Sequence, residues 1–344
     1  MSSHELFMRR CLQLAALGRR TCRPNPMVGA VLVHEGRIIG EGWHKRYGGP
    51  HAEVEAFASV ADADRALIPD STLYVSLEPC NHHGKTPPCS ERIISEGVRQ
   101  VVVGTVDFAT HVNGAGIRRL REAGINVICP VLETECRELN KRFFTLQQKK
   151  RPYIILKWAQ TMDGFLGPGD KPMRLSDPFS DRLVHRWRAE EASIWVGYRT
   201  ARTDRPVLTN RLWPGPHPLR IVYDRDRSLD RSMPLFDQQA PTLAYHSLAD
   251  TEADLQVSPD NYIPEILHDL ARRGIDSVLV EGGAALHGAL IKQNLWDEIR
   301  VVTCPLRLGA GVKACSVPGQ AIASAAFYSG PDHIQIFRNP ARPS

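Results

Sequence analysis

His51-Ala52-Glu53 and Glu78-Pro79-Cys80, followed by Cys89, are the stretches around which the first half of this chain is organised. One imidazole and two thiolates are ligands that suit zinc, and three protein ligands leave its fourth position open for water. A carboxylate two residues after the histidine can move protons without binding the metal. The pattern therefore predicts a catalytic zinc site, with the histidine and both cysteines as ligands and Glu53 as the proton carrier.

The spacing of the two cysteines is longer than in most sites of this kind. The order H-x-E, then P-C, then a second cysteine is the signature of zinc deaminases, in which two residues separate the cysteines. Here eight residues separate Cys80 from Cys89. The longer loop can shape a pocket for a larger substrate. The main alternative is a structural zinc site, which would need a fourth ligand such as His44, His82 or His83.

Length and composition limit the possible classes of protein. A chain of 344 residues is long enough for two domains. Its 43 basic and 38 acidic residues form no basic block, which argues against a protein that binds or edits nucleic acid. No apolar run approaches the roughly 20 residues needed to span a membrane, and no signal peptide is indicated. Eight unevenly spaced cysteines indicate reduced thiols, so we expect a cytoplasmic protein.

Apolar strands alternate with helical segments along the whole chain, which predicts α/β layers with helices on both faces of a sheet. The polar, basic segment 147–152 ends in a proline and is the predicted boundary between two domains, 1–148 and 149–344. In the first domain the predicted strands are 27–33, 38–42, 71–77, 101–104 and 125–128, and the predicted helices are 5–17, 51–61, 89–96, 116–123 and 133–148. In the second the strands are 153–159, 193–197, 219–223, 241–245, 277–280 and 298–303, and the helices are 181–191, 264–273 and 284–295.

The motif residues also carry a resemblance to a known family. Residues 51–56 read H-A-E-V-E-A, and residues 78–89 read E-P-C-N-H-H-G-K-T-P-P-C. These runs resemble the deaminase half of the bifunctional deaminase/reductase family of riboflavin biosynthesis, in which the long cysteine spacing is usual. The resemblance implies a three-layer, cytidine-deaminase-like fold for the first domain. It also implies that Asn25, His44, His82 and Lys85 contact the pyrimidine or its phosphate.

From residue 151 onward the chain resembles the reductase half of the same family, which has a dihydrofolate-reductase-like α/β fold. The matching pieces are K-x-A-x-x-M-D-G at 157–164, R-A-E at 188–190, G-x-x-T at 197–200, D-x-P-x-L at 204–208, R-I-V-Y-D at 220–224 and E-G-G at 281–283. The resemblance implies an NADPH site formed by Gln160, Thr200, Asp204, Gly282 and Gly283, and we expect Arg174 to add a charged contact to the cofactor. The resemblance also implies a substrate site formed by Arg188, Leu208, Arg211 and Glu281, with the two arginines on the phosphate and Glu281 beside the ribose.

The E-G-G turn can be interpreted without the family. It follows an apolar strand and opens a predicted helix, where backbone amides and the helix N-terminus favour a phosphate. The first strand of this half is followed by no G-x-G-x-x-G motif, so the sequence does not predict a Rossmann domain. Nicotinamide binding is therefore implied by the resemblance and not by a motif.

Two segments depart from the family pattern. The family often has D-P-N-P where this chain has D-F-A-T at 107–110, and it commonly has S-x-W-I-T where this chain has P-M-R-L-S at 172–176. The second departure places Arg174 where the family has tryptophan, and it leaves open a deaminase with a degenerate reductase half.

The expected function consists of two consecutive reactions. The resemblance implies zinc-dependent deamination of 2,5-diamino-6-ribosylamino-4(3H)-pyrimidinone 5′-phosphate. It then implies NADPH-dependent reduction of the ribosyl group of 5-amino-6-(5-phosphoribosylamino)uracil to ribityl. The expected cofactors are Zn²⁺ and NADPH, and the expected partner is the phosphorylated pyrimidine. We expect a homo-oligomer, either a dimer or a tetramer, without nucleic-acid or membrane partners.

Overall fold

The computed structural model describes residues 2–81, 87–107, 114–249 and 255–340. The chain divides into two compact units, the first ending at Lys150 and the second beginning at Arg151. In the described parts of the chain, no helix is both long enough and apolar enough to cross a bilayer.

The first unit is built on one mixed five-stranded sheet. Its strands are β1 (Gly29–His34), β2 (Arg37–Trp43), β3 (Thr72–Val75), β4 (Gln100–Val103) and β5 (Asn126–Ile128). Its helices are α1 (Ser3–Ala16), α2 (Ala52–Ala58), α3 (Cys89–Ser95), α4 (Ala115–Glu122), α5 (Glu133–Leu139) and α6 (Lys141–Lys149), with a 3₁₀ helix at Asp62–Asp70. The strand order is β2-β1-β3-β4-β5. Strand β1 is antiparallel to both neighbours, and β3, β4 and β5 are parallel.

Both faces of this sheet are covered by helices. Successive side chains of a strand point to opposite faces. Accordingly, Ala30 and Leu32 pack with apolar residues of α2, α3 and α4. Val31 and Val33 pack with residues of α1 and α5 on the other face. The unit thus has the three-layer α/β arrangement that the sequence predicted.

The sequence predicted one continuous helix over residues 133–148. This prediction is wrong, because Asn140 divides the segment into α5 and α6. The Asn140 side chain donates to the carbonyl oxygen of Met27 and accepts from its N–H, both at 2.8 Å. Asparagine favours such breaks because its amide competes with the helical backbone for hydrogen bonds. The two bonds tie the start of α6 to the segment that leads into β1.

The second unit contains an eight-stranded sheet and a small two-stranded one. Its strands are β6 (Tyr153–Thr161), β7 (Phe165–Gly167), β8 (Ser193–Val196), β9 (Leu219–Tyr223), β10 (Thr242–Tyr245), β11 (Ser277–Val280), β12 (Glu298–Cys304), β13 (Val312–Lys313), β14 (Ile322–Ser329) and β15 (Asp332–Arg338). Its helices are α7 (Pro178–Glu190), α8 (Tyr198–Asp204), α9 (Tyr262–Arg272) and α10 (Ala284–Lys292), with a 3₁₀ turn at Pro234–Phe236.

The large sheet has the order β10-β9-β8-β11-β6-β12-β15-β14, and β7 pairs with β13. The first six strands are parallel, and β15 and β14 continue the sheet antiparallel. Helices α9 and α10 pack on one face of the sheet, and α7 packs on the other. The carboxyl ends of the parallel strands therefore share one edge, which is where ligands bind in open α/β sheets.

The start of the second unit is fixed by an ion pair inside the predicted boundary segment. Arg151 is only 7% exposed. Its guanidinium donates to the carboxylate of Asp297 at 2.5 and 2.7 Å. Arg151 is therefore an anchored residue of the second unit and not part of a solvated linker.

Candidate active sites

Three predicted ligands converge at one end of the first sheet. The His51 Nδ1 atom lies 3.5 Å from the Sγ of Cys80 and 3.3 Å from the Sγ of Cys89. All three atoms lie within 4.8 Å of one another. A tetrahedral zinc ion, with usual bond lengths, separates a nitrogen ligand from a sulfur ligand by about 3.5 Å. The donor set and its spacing fit zinc, with Nδ1 as the histidine ligand atom.

The local fold explains how residues distant in sequence come together. His51 directly precedes α2, Cys80 follows β3 after a proline, and Cys89 is the first residue of α3. The Cys89 N–H donates to the Cys80 sulfur at 3.4 Å. Hydrogen bonds from the Cys89 thiol and the His51 ring lower the pKa of the Cys80 thiol. A lowered pKa favours the thiolate, which is the form that binds metals.

Glu53 has the environment expected of a proton carrier. It lies on α2, is 3% exposed and lines a cavity together with His51 and Cys80. Burial and the nearby charge of Cys80 raise the pKa of the Glu53 carboxyl to about 7. A carboxyl with a pKa near neutrality can both accept and donate a proton at physiological pH.

The cavity beside the three ligands has a volume of about 280 Å³. Its wall includes two of the predicted pyrimidine contacts, Asn25 and His44. The His44 Nδ1 atom is 2.9 Å from the carbonyl oxygen of Pro50, and its Nε2 atom is 3.1 Å from the Asn25 amide nitrogen. These contacts fit a neutral ring that donates from Nδ1 and accepts at Nε2, and burial lowers the pKa of His44 in agreement. The other two predicted contacts, His82 and Lys85, lie outside the described residues.

Glu78 is a site residue that the sequence analysis missed. Its buried carboxylate lines the cavity and accepts from four backbone N–H groups at 2.8 to 3.3 Å, those of Asp107, Gly114, Gly116 and Ile117. Helix α4 begins inside this set, so the carboxylate caps its first turn. A Cβ atom at Gly116 would lie 1.9 Å from the carbonyl oxygen of Pro79. Glycine at position 116 therefore lets the start of α4 lie in close contact with the segment that carries Cys80.

Helix α6 also contributes to the first cavity through side chains that no sequence pattern marked. Phe143 and Gln147 line the wall, as does Asp107. The break at Asn140 determines where α6 begins and so places both side chains. An asparagine within an otherwise helical pattern was the one available signal.

The second unit contains a cavity of about 820 Å³ at the carboxyl ends of its parallel strands. Its wall includes five residues predicted for the reductase site, namely Arg174, Thr200, Asp204, Glu281 and Gly283. The exposed side chain of Arg174 donates to Asp181 at 2.5 Å. Partial burial raises the pKa of the Asp204 carboxyl. The location agrees with the usual position of nucleotide sites in open α/β sheets.

The Gly282-Gly283 turn has the close packing of a phosphate-binding loop. Gly283 has a φ of +74° and directly precedes α10. A Cβ atom at Gly283 would lie 3.0 Å from the Thr200 hydroxyl, and one at Gly282 would lie 3.1 Å from the Thr200 methyl group. Glycine at both positions therefore lets α8 approach the turn. Gly283, Ala284 and Ala285, at the start of α10, line the cavity, where the N-terminus of the helix favours an anion.

Glu281 and Arg188 were predicted as two separate substrate contacts, but in the structure they bind each other. The Arg188 guanidinium donates to both carboxylate oxygens, at 2.7 and 2.8 Å, and to the carbonyl oxygen of Thr209 at 3.2 Å. Burial alone would raise the pKa of Glu281, but the charges of Arg188 and Lys157 outweigh it and lower that pKa to about 2. The Arg188 guanidinium, which was predicted to bind a phosphate, thus binds the ionised carboxylate of Glu281 instead.

Four other predicted residues do not form part of the described wall of the cavity. Gln160 accepts from the Trp158 indole at 2.8 Å, and Arg211 donates to the Thr209 hydroxyl at 3.2 Å. Leu208 is 2% exposed and packs in an apolar cluster, and Gly282 is buried beside Thr200. The side chain of Leu208 is therefore core, which the D-x-P-x-L pattern did not indicate. The ligand contacts of these residues stay predictions.

Comparison with known families matches both units. The family model described as the cytidine and deoxycytidylate deaminase zinc-binding region matches residues 1–105. The model described as the RibD C-terminal domain matches residues 152–326.

Several proteins of known name resemble the chain over most of its length. It is 36% identical over 317 residues to the riboflavin biosynthesis protein RibD of Aquifex aeolicus, covering 89% of this chain and 88% of that protein. It is 35% identical over 344 residues to RibD of Escherichia coli, covering 92% and 91%.

A solved structure from Thermotoga maritima shares the fold of the whole chain. It is the structure of a diaminohydroxyphosphoribosylaminopyrimidine deaminase/5-amino-6-(5-phosphoribosylamino)uracil reductase. That protein is 35% identical to this chain, the TM-score is 0.88, and the match covers 98% of each chain. The chain belongs to the RibD family of bifunctional deaminase/reductase proteins of riboflavin biosynthesis.

Proposed function

We propose that this protein catalyses two consecutive steps of riboflavin biosynthesis. The first is deamination of 2,5-diamino-6-ribosylamino-4(3H)-pyrimidinone 5′-phosphate, and the second is reduction of the ribosyl group of 5-amino-6-(5-phosphoribosylamino)uracil to ribityl by NADPH. The observation that carries the proposal is the convergence of His51, Cys80 and Cys89 beside the buried Glu53, in a chain whose other unit matches the RibD C-terminal domain. We assign deamination to residues 1–148 and reduction to residues 149–344.

In the deaminase domain, His51, Cys80 and Cys89 would hold a zinc ion through one imidazole nitrogen and two thiolates. When bound, the ion would supply the activation of a water molecule, because it lowers the pKa of that water toward neutrality. Glu53 takes a proton from the attacking water and delivers it to the amine that leaves as ammonia. The amide of Asn25, oriented by His44, is placed to hydrogen-bond the pyrimidine edge. His82 and Lys85 are proposed contacts of the substrate by family resemblance.

In the reductase domain, the cavity at the carboxyl ends of the strands takes NADPH. The amides of Gly282, Gly283 and the first turn of α10 fit its pyrophosphate. Gln160, Arg174, Thr200 and Asp204 are the other proposed contacts of the cofactor. When bound, NADPH would supply the hydride that reduces the ribosyl carbon.

On the substrate side of the reductase domain, Glu281 stays ionised between Arg188 and Lys157 and can accept a hydrogen bond from a ribose hydroxyl. Arg188 and Arg211 remain the proposed phosphate contacts, together with Leu208. Because the Arg188 guanidinium already binds Glu281, Arg211 is the more available of the two cations for the phosphate.

We also propose a homo-oligomer, a dimer or a tetramer. Strand β14 forms one edge of the large sheet, and Ile322, Phe327 and Tyr328 on it are 57%, 40% and 74% exposed. Apolar edge strands are usually covered by another chain or element. A cytoplasmic location is proposed from the eight cysteines, which form no disulfide within the described residues.

The test supplies the synthetic deaminase substrate and NADPH to the zinc-loaded protein and follows ammonia and NADPH together. We expect release of ammonia followed by oxidation of NADPH. Glu53→Gln should reduce ammonia release by at least about 100-fold, the usual contribution of a general base, while zinc stays bound. Glu55→Gln, on the same helix but paired with Lys45, is the matched control and should keep activity.

The possible failures of this test are distinct. Ammonia release without NADPH oxidation, even when the uracil intermediate is supplied directly, favours a deaminase with a degenerate reductase half. Full deamination by Glu53→Gln contradicts the role of Glu53. Absence of both reactions contradicts the whole proposal.

A further inference from the structure

We propose that a stacked pair of tyrosines, Tyr223 and Tyr262, binds the adenine ring of the dinucleotide at one end of the reductase cavity. This inference deepens the proposed function and rests on its NADPH-dependent half. Neither tyrosine was among the residues predicted for the cofactor site.

Four neighbouring parallel strands, in the order β9-β8-β11-β6, contribute to the cavity wall. Tyr223 ends β9, Gly197 follows β8, Glu281 follows β11, and Trp158 lies in β6. Neighbouring strands are about 4.8 Å apart, so three spacings separate β9 from β6 by about 14 Å. The cavity is therefore elongated across the sheet edge, and a ligand that fills it has two distant ends.

The middle of this row is suited to phosphate. The Gly282-Gly283 turn leaves β11 and packs on Thr200, which belongs to the helix that follows β8. A pyrophosphate at this turn therefore lies between the β9 end and the β6 end. One half of the dinucleotide must extend toward each end.

The chemistry of the β6 end suits the reacting half. Lys157 of β6 lies there, and its Nζ atom is 3.9 Å from the carboxylate of the ionised Glu281, which follows the neighbouring strand β11. These groups can hydrogen-bond the hydroxyl groups of a sugar substrate. The nicotinamide must contact that substrate to transfer a hydride, so it belongs at this end. The adenosine half of the dinucleotide therefore extends toward the β9 end.

The chemistry of the β9 end suits a flat, uncharged ring. The rings of Tyr223 and Tyr262 are stacked, with centroids 4.1 Å apart and an angle of 9° between their planes. The Tyr223 hydroxyl lies 2.7 Å from that of Ser247, which fixes the ring, and both side chains are half-buried in the cavity wall. Nucleobases stack on aromatic side chains in this way, and a purine would extend the existing stack.

The test measures binding of NADPH, and of reduced nicotinamide mononucleotide, which lacks adenosine, to the full-length protein by calorimetry. Tyr262→Leu should raise the Kd for NADPH about tenfold, equivalent to about 1.4 kcal/mol, and leave binding of the mononucleotide unchanged. Tyr262→Phe keeps the ring and should bind NADPH like the wild type. Tyr47→Leu removes an exposed tyrosine of the first unit and is the control. Tyr223→Leu repeats the test if Tyr262→Leu does not fold.

The outcomes separate this inference from the function on which it rests. NADPH binding by Tyr262→Leu that equals the wild type overturns the adenine site and leaves the reductase proposal intact. Equal weakening of NADPH and of the mononucleotide also overturns it, because the tyrosine then supports the whole cavity. A wild-type protein that binds no NADPH overturns both proposals.

Discussion

The carboxylate of Glu78 accepts hydrogen bonds from four backbone N–H groups, and Cys80 lies two residues further along the chain. Three of the four donors belong to the start of α4, where N–H groups have no partner within the helix. The fourth belongs to Asp107, which lines the same cavity as Glu53. One side chain thus connects a wall of the cavity to the segment that carries a zinc ligand.

Replacing Glu78 with alanine should therefore affect both stability and deamination. The change leaves buried N–H groups without an acceptor, so we expect the first unit to lose about 3 kcal/mol in its free energy of unfolding. Deamination should fall while zinc stays bound, because the three ligands are unchanged. Denaturant titration, ammonia release and metal analysis measure the three effects.

Two further variants make this prediction specific. Glu78→Gln keeps one acceptor oxygen, so its loss of stability should be intermediate. Glu122→Gln removes an exposed carboxylate from α4 and should change stability by less than about 0.5 kcal/mol. A Glu78→Ala protein as stable as Glu122→Gln contradicts the capping role.

These residues also show what the sequence could reveal about the candidate sites. His51, Cys80, Cys89 and Glu53 were predictable because their types and order encode metal and proton chemistry, and the structure brings them together. Glu78 was not, because its role depends on the backbone that folds against it. The partner of Arg188 was also not predictable, since a guanidinium pairs equally well with a phosphate or with a carboxylate from a distant strand.

At the scale of elements, β11, the glycine turn and α10 act together at the reductase cavity. His287 of α10 is 1% exposed, and its Nε2 atom lies 3.0 Å from the carbonyl oxygen of Val280 at the end of β11. The contact fits an Nε2–H that donates across the turn. Burial lowers the pKa of His287 to about 4, and Lys157 nearby acts in the same direction.

This arrangement predicts that the second unit loses stability in acid. An unfolded histidine titrates near pH 6.5, so between about pH 6.5 and 4 the unfolded state binds more protons and becomes favoured as the pH falls. The contribution of His287 over this range is about 2 to 3 kcal/mol. His185, with its pKa also lowered to about 4 by burial, adds to the loss. The lowered pKa of Glu281 extends the loss from about pH 4.5 down to about pH 2.

Denaturant titration at several pH values tests this prediction. His287→Gln should make the free energy of unfolding less dependent on pH between 6.5 and 4, while His185 and Glu281 keep part of the dependence. His268→Gln changes an exposed histidine on α9 and is the control. An unchanged pH dependence in His287→Gln contradicts the prediction.

The elements differ in how well the sequence predicted them. Strands β6, β8 and β11 are buried runs of apolar residues, and such runs are distinctive. The hairpin of β14 and β15 was missed because β14 is exposed over nearly its whole length and rich in alanine, which has low strand propensity. The division of helix 133–148 was missed because the contact that breaks it, between Asn140 and Met27, joins residues 113 positions apart.

At the scale of the whole molecule, each unit has its own apolar clusters and its own cavity. In the described parts of the chain, no apolar cluster contains residues of both units, and no residue lines both cavities. The charges that set the pKa of Glu281 all belong to the second unit, and those that act on Glu53 belong to the first. The described groups that shift the pKa of each carboxyl therefore belong to the unit that carries it.

Removal of zinc should consequently stop one reaction and spare the other. We expect one zinc ion per chain, bound by His51, Cys80 and Cys89. A chelator that removes it should abolish ammonia release, while the chelated protein still oxidises NADPH when it is given the uracil intermediate. Cys89→Ser should behave like the chelated protein. Cys129→Ser, a change to a half-buried thiol of the same unit outside the ligand cluster, should keep both zinc and deamination. None of the three predicted zinc ligands lines the described reductase cavity. Loss of reduction together with deamination would therefore contradict this prediction and show that the metal supports both units.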